Sequence, residues 1–345
     1  MYRHLLVPVD STDASSEAVG HAAQFARVLG ARITFFHALT GEATLGQPGA
    51  LVVEPNALAW ELLAKAEAAA RAHGVTCDTA SGVDPAPHRA ILSAAHECGS
   101  DLILMAPCDK RDGDGQLGTQ TSNVLAAADR PVLVCAVEQR PVPARVTGVL
   151  LNEHRVHAGV LHAWLRFLRG ARLQNDRPKV EAMYACADYL RASSALWQIG
   201  NSASCLDERL RHRTQAISAE LDELALRRKR NTRLTRELSE LLEQYARGLI
   251  PAAELEQAVS AYATFSWAQH GREEGVVFAA ARRYLTDADW HAIDITLNKR
   301  ACSSARAEFG RLISLINETW TDAGAHAHGV LSPGNLSVAR AYPRT

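Results

Sequence analysis

The 345-residue chain has no Cys-x-x-Cys pair, no apolar run of 18 or more residues, and a net charge of only −1. Each absence removes a class of protein. The seven cysteines, Cys77, Cys98, Cys108, Cys135, Cys186, Cys205 and Cys302, are odd in number and widely scattered. That spacing suits neither a disulfide framework nor a zinc ribbon, and reads as buried or idle thiols. Without a long apolar run there is no candidate membrane span. The opening Met1-Tyr2-Arg3-His4 leads straight into a strand pattern rather than a secretory leader, so a soluble cytoplasmic protein is expected. No nucleophile–base pairing stands out, as a hydrolase would need. Nor is either half basic enough for nucleic acid: residues 1–140 hold 10 basic against 16 acidic residues, and the remainder 27 against 22. The one basic cluster, Arg227-Arg228-Lys229-Arg230, reads as a solvated helix face.

What is present is an ordinary globular composition, 47% hydrophobic and 22% charged, in a chain longer than one core usually serves. Two domains are expected. In the first, short apolar runs alternate with amphipathic stretches. Strands fall at His4–Val9, Ala31–Leu39, Val75–Thr79, Asp101–Ala106 and Pro131–Val137. Helices fall at Ser11–Leu29, Leu58–His73, Pro87–Glu97 and Leu117–Ala128, with Gly30 and Gly74 as stops. The pattern predicts an α/β doubly wound five-stranded parallel sheet, with ligands at the carboxyl ends of the strands. Asp10, just past the first strand, can accept hydrogen bonds from a ribose or base, or can cap the helix that follows. Gly118 and Thr119 open the fourth helix, where free N–H groups and a hydroxyl can cradle phosphate.

The stretches HLLVPVDSTDASSEAV, SDLILMAP and LGTQTSNVLAAADRPVLV resemble the universal stress protein family across residues 1–138. The resemblance implies a five-stranded doubly wound fold and dimerisation through the last strand, Pro131–Val137. In one branch of the family it implies ATP bound by the first-strand aspartate and a G-x2-G-x9-G-(S/T) loop. Asp10, Gly118 and Thr119 match that set. The first two glycines fall on Ala106 and Asp109, and the intervening loop is one residue shorter. Asp109, Asp112 and Asp114 put negative charge where phosphates would lie, partly offset by Lys110 and Arg111.

Glu138–Pro143, with two prolines, reads as a stiff boundary, so the domains are expected at 1–140 and 148–322 with a linker at 141–147. Helical periodicity then takes over: Val149–Arg172, Arg177–Trp197, a third helix from Cys205 continuing to Tyr245, and a fourth from Pro251 to about Leu285. A capping stretch, Thr286-Asp287-Ala288-Asp289, precedes a short helix with Trp290 and Ile293. Ser303–Trp320 closes the set before a Gly/Pro/Ser-rich tail at 323–345, expected to be disordered. The succession predicts an all-α four-helix bundle.

Several polar residues fall on faces that otherwise want to be apolar. They are His154, with His157 close behind; His212, four residues after Glu208; and His270, four residues before Glu274. An i,i+4 His/Glu pair shares one helix face, and imidazole with carboxylate suits iron, manganese or zinc. Each histidine alone reads more readily as a satisfied core or surface residue, and it is three of them on three helices that point to a metal. LNEHRVHAGVL, YATFSWAQHGREEGVVF and YLTDADWHAIDITL resemble the hemerythrin-like, or HHE cation-binding, family over about residues 148–320. That resemblance implies a non-haem di-iron site that binds or senses oxygen or nitric oxide, with His154, His212, His270 and Glu274 as metal ligands. The second-helix His-x3-Glu pair is missing; its places fall near Gln198, Ile199 and Ser202. Glu208 can stand in, giving a partial site for a single iron.

Three functions follow as expectations. The first is a stress-associated binding or regulatory protein coupling the two modules, dimeric through the first domain. The second is an iron protein for oxygen or nitric oxide. The third is an ATP-binding stress protein.

Overall fold

The computed structural model describes residues 2–39, 55–107, 117–174, 180–198 and 202–301. It divides into two compact units. The first holds residues 2–39, 55–107, 117–140 and 267–283, and the second 141–174, 180–198, 202–266 and 284–301.

In the first unit the elements alternate as β1 (His4–Pro8), α1 (Asp13–Leu29), β2 (Arg32–Leu39), α2 (Pro55–Ala72), β3 (Cys77–Val83), α3 (Pro87–Glu97), β4 (Leu102–Met105), α4 (Thr119–Ala127) and β5 (Val132–Val134). All strand pairs are parallel, in the order β3-β2-β1-β4-β5. This is the doubly wound sheet that the alternation predicts. Side chains alternate across it: Leu5, Val7, Ile33, Phe35, Leu102 and Leu104 meet α1 and α2, while Leu6, Phe36, Ile103 and Met105 meet α3 and α4. Gly30 ends α1 with φ of 65°, donating its N–H to the Ala26 and Arg27 carbonyls in a left-handed cap. The third strand runs later than its predicted Val75–Thr79, because an edge strand with an exposed face carries little apolar signal.

The second unit is helical: α5 (Pro141–Gln174), α6 (Val180–Gln198), α7 (Ser202–Arg213), α8 (Ser218–Ala246), most of α9 (Ala252–Arg272) and α11 (Asp287–Ala301). Its core includes Leu161, Trp164, Leu168, Met183, Leu190, Leu221, Leu224, Leu242, Trp290 and Ile293, all buried. Three expectations differ. The stretch read as a linker, 141–147, is already helix, because Pro141 and Pro143 lie in a first turn where no N–H is needed. The third helix is not continuous. The Thr214 hydroxyl accepts the Ala216 N–H at 3.0 Å, and this local turn separates α7 from α8. The fourth helical run passes from α9 through a π-turn at Glu273–Val277 into α10 (Phe278–Tyr284), and its portion from Trp267 to Arg283 belongs to the first unit.

The capping stretch acts as predicted. Thr286 N–H donates to the Asp289 carboxylate at 3.0 Å, and Asp289 N–H to the Thr286 hydroxyl at 3.3 Å, a reciprocal box at the start of α11. Among the described residues no helix is long and apolar enough to cross a membrane. Ile199, the acidic stretch at Asp109, Asp112 and Asp114 with Lys110 and Arg111, Cys108, Cys302, Ser303–Trp320 and the tail at 323–345 lie outside the described residues.

Candidate functional site

In the first unit the strand order reverses between β1 and β4, since the connection from β1 leads to β2 and that from β4 to β5 on the other side. Crossovers leaving in opposite directions open a crevice at the carboxyl ends of those two strands. Asp10 follows β1 and Gly118 opens α4 after β4, so the topology brings the sequence-predicted residues of this domain to that end. Asp10 is exposed, and its Oδ1 accepts from both the Thr12 N–H at 2.8 Å and the Thr12 hydroxyl at 2.6 Å. Its own N–H donates to the Ser15 hydroxyl at 2.9 Å. The helix cap is Thr12, whose side chain accepts the Ser15 N–H at 3.1 Å; Asp10 braces that cap rather than forming it. Asp10 and Thr12 are thus tied into one turn at the end of β1.

Gly118 occupies the N-cap of α4 with extended backbone, φ −61° and ψ 155°. Its N–H is already donated to the Pro107 carbonyl at 3.0 Å, so it does not serve a phosphate; that contact instead ties α4 beside the end of β4. Thr121 reinforces the tie through its hydroxyl to the Ala106 carbonyl at 3.1 Å. Thr119 is exposed at the helix start, where the positive end of the dipole favours an anion. His37, near the end of β2, completes this end with a 2.7 Å hydrogen bond to the Val9 carbonyl. Sequence reading passed over it; a histidine in the otherwise apolar RITFFHAL was the signal.

The proposed metal ligands are distributed differently. His154 is buried in α5. The neighbouring His157 is buried too, with its ring 6.2 Å from that of Tyr189 and 6.3 Å from that of Tyr262. Burial pushes both tyrosine hydroxyls well above the ordinary phenol range, and Tyr262 donates to Asn231 at 2.9 Å. His212 and Glu208 are exposed on α7, where His212 sits with Arg211 and Arg213 in the last turn, a place that suits cations at a helix C-terminus. His270 and Glu274 are buried in the first unit. Glu274 lies 3.5 Å from the Lys65 ammonium and accepts the Ser16 hydroxyl at 3.1 Å. Among the described residues no group of three or more His, Cys, Asp or Glu stands close enough to hold a metal ion. Of the expected iron ligands, Glu274 is turned toward a buried lysine, and Glu208 and His212 face solvent.

The first unit is thus a doubly wound α/β fold whose strand order reverses between β1 and β4. Residues 1–136 match the universal stress protein family, and the N-terminal part of the chain is a universal stress protein domain. Similar solved structures include a universal stress protein in complex with cAMP, 24% identical, covering 40% of this chain and 98% of that one at a TM-score of 0.32. A universal stress protein from Archaeoglobus fulgidus is 25% identical, covering 39% of this chain and 98% of that one at 0.33. The Archaeoglobus fulgidus protein in complex with dAMP is 24% identical, covering 39% and 97% at 0.32. No curated protein matches the chain.

Proposed function

We propose that the protein is a stress-associated binding and regulatory protein, whose first domain takes a nucleotide-class ligand in the crevice between β1 and β4. The observation that carries this is the placement of Asp10 and of the α4 N-terminus at the two strand ends where the order reverses. The ligand is a nucleotide with one phosphate rather than three. Three aspartates stand in the connection from β4 to α4, and Ala106 and Asp109 replace the glycines that let backbone approach a polyphosphate closely. Asp10 serves the ribose or base, and the start of α4 serves the single phosphate.

Calorimetric titration of the full chain tests this. AMP or cAMP is expected to bind with ATP about tenfold weaker or more, and Asp10→Ala is expected to weaken the monophosphate. Tighter binding of ATP than of AMP contradicts the monophosphate reading, and binding of none of the three contradicts the nucleotide reading altogether.

Dimerisation through the last strand is part of the proposal. It is supported by the edge position of β5, which pairs with β4 on one side, and by Leu133 and Leu125, each 40% exposed. The kinship of the helical unit to hemerythrin-like bundles rests on its sequence stretches and on buried His154. In our reading that unit serves as a regulatory module rather than an oxygen or nitric oxide site, because Glu274 is paired with Lys65, and Glu208 and His212 face solvent.

A further inference from the structure

The stretch from Trp267 to Arg283 is far in sequence from the stress protein domain, yet it packs on α1 and α2 within the first unit. The approach is closer than ordinary helix packing allows. A Cβ at Gly271 would overlap the Lys65 carbonyl group, lying 2.6 Å from its carbon. A Cβ at Gly275 would overlap that of Ala69, and one at Gly20 would lie 3.0 Å from the Gly275 carbonyl oxygen. Gly271 and Gly275 are four apart, as are Lys65 and Ala69, so the two helices meet in register over a full turn. Trp267, fully buried, meets Trp60 edge to face with ring centres 4.7 Å apart.

Charged groups lock the same contact. Lys65 holds Glu61 at 2.8 Å and Glu274 at 3.5 Å, all three side chains being buried. Burial by itself would lower the lysine, but the two carboxylates outweigh it and hold Lys65 above its ordinary value. At the other end Arg282 donates to Glu17 at 3.2 Å, and Glu17 also accepts the Glu138 N–H at 3.0 Å. The Arg140 guanidinium donates to the Arg282 carbonyl at 3.0 Å.

We propose that Trp267–Arg283 is a strap that completes the stress protein domain and fixes the crevice loop through the first turn of α1. Asp10, Thr12 and Ser15 form the crevice loop and its cap; Ser16 and Glu17, the next two residues, are held by Glu274 and Arg282. One turn of helix is thus shared by the two sets of contacts. Whatever loosens the strap loosens the loop, and by reciprocity whatever orders the loop tightens the strap. This does not depend on what the crevice binds.

Hydrogen exchange on the full chain, without ligand, tests it. Gly275→Leu is expected to speed exchange about tenfold or more in residues 267–283 and, in step, in residues 10–17, while α6 and α8 keep wild-type protection. Arg282→Gln, which removes the charge facing Glu17 and Glu138, is the milder form and replaces Gly275→Leu should that chain not fold; about threefold faster exchange is expected at both places. A strap that exchanges faster while residues 10–17 stay as in wild type overturns the proposal, as does wild-type exchange at both.

Discussion

The two units use their buried charges to different ends. In the first, Lys65, Glu61 and Glu274 sit together away from water and join α2 to a segment two hundred residues further along the chain. In the second, the charged contacts staple helix to helix: Arg209 and Arg213 to Asp289, Arg228 to Asp207 at 2.5 Å, Arg169 to Glu256 at 3.2 Å, and Arg145 to Asp294. The first arrangement ties a remote segment to a domain. The second holds neighbouring helices in place and leaves exposed polar residues such as His212 free of any common target. A spacing that suits a metal pair on paper therefore means something different in each unit.

The largest expected effect comes from opening the buried cluster. Lys65→Met leaves two carboxylates without their cation, and should destabilise the first unit by about 3–5 kcal/mol. Thermal unfolding measures it, and a loss below about 1 kcal/mol would show that water reaches the cluster. Next is Asp289→Ala, which removes the capping box and the partner of two arginines at once, at about 2–3 kcal/mol. A loss of only a few tenths would mean that the arginines re-pair elsewhere.

The same residue sets an acid limb. Although burial opposes it, the hydrogen bonds from Arg213 and Thr286 hold the Asp289 carboxyl well below the ordinary carboxylate range. A depressed folded-state value contributes stability that is complete above the unfolded value, about 4, and is lost as pH falls toward the folded one. The helical unit should weaken below about pH 4, and Asp289→Asn should flatten that limb; an unchanged limb assigns it to other carboxylates.

The smallest effects are expected on the exposed face of α7. Glu208→Ala and His212→Ala should each change stability by less than about 0.5 kcal/mol. EDTA should leave the wild-type Tm within about 1 °C. A Tm that drops on chelation, and no longer does so in His212→Ala, would restore the metal reading.

The sheet was legible because a buried parallel strand is an apolar run with a turn at each end, and LLVPVD, LILM and VLV announce themselves. The edge strand β3 was blurred because its exposed face is polar. The helical start at 141–147 was not legible because two prolines look alike in a linker and in a first helical turn. The break at Thr214 was missed because a single hydroxyl makes it. Most instructive is the stretch AQHGREEGVVF. Its His270/Glu274 spacing says which residues share a face, but not what that face meets. Gly271 and Gly275 at the same spacing carried the better signal, since small residues four apart permit a close helix approach. Lys65 as the partner of Glu274 lay beyond any local pattern, and the π-turn leaves no periodic trace.

The most direct test of the account is hydrogen exchange of the full chain with and without saturating AMP. The account predicts slower exchange at residues 10–17 and 118–121, the two sides of the crevice, together with residues 267–283. Unchanged exchange at both sides of the crevice, or protection confined to α5–α8, would contradict it.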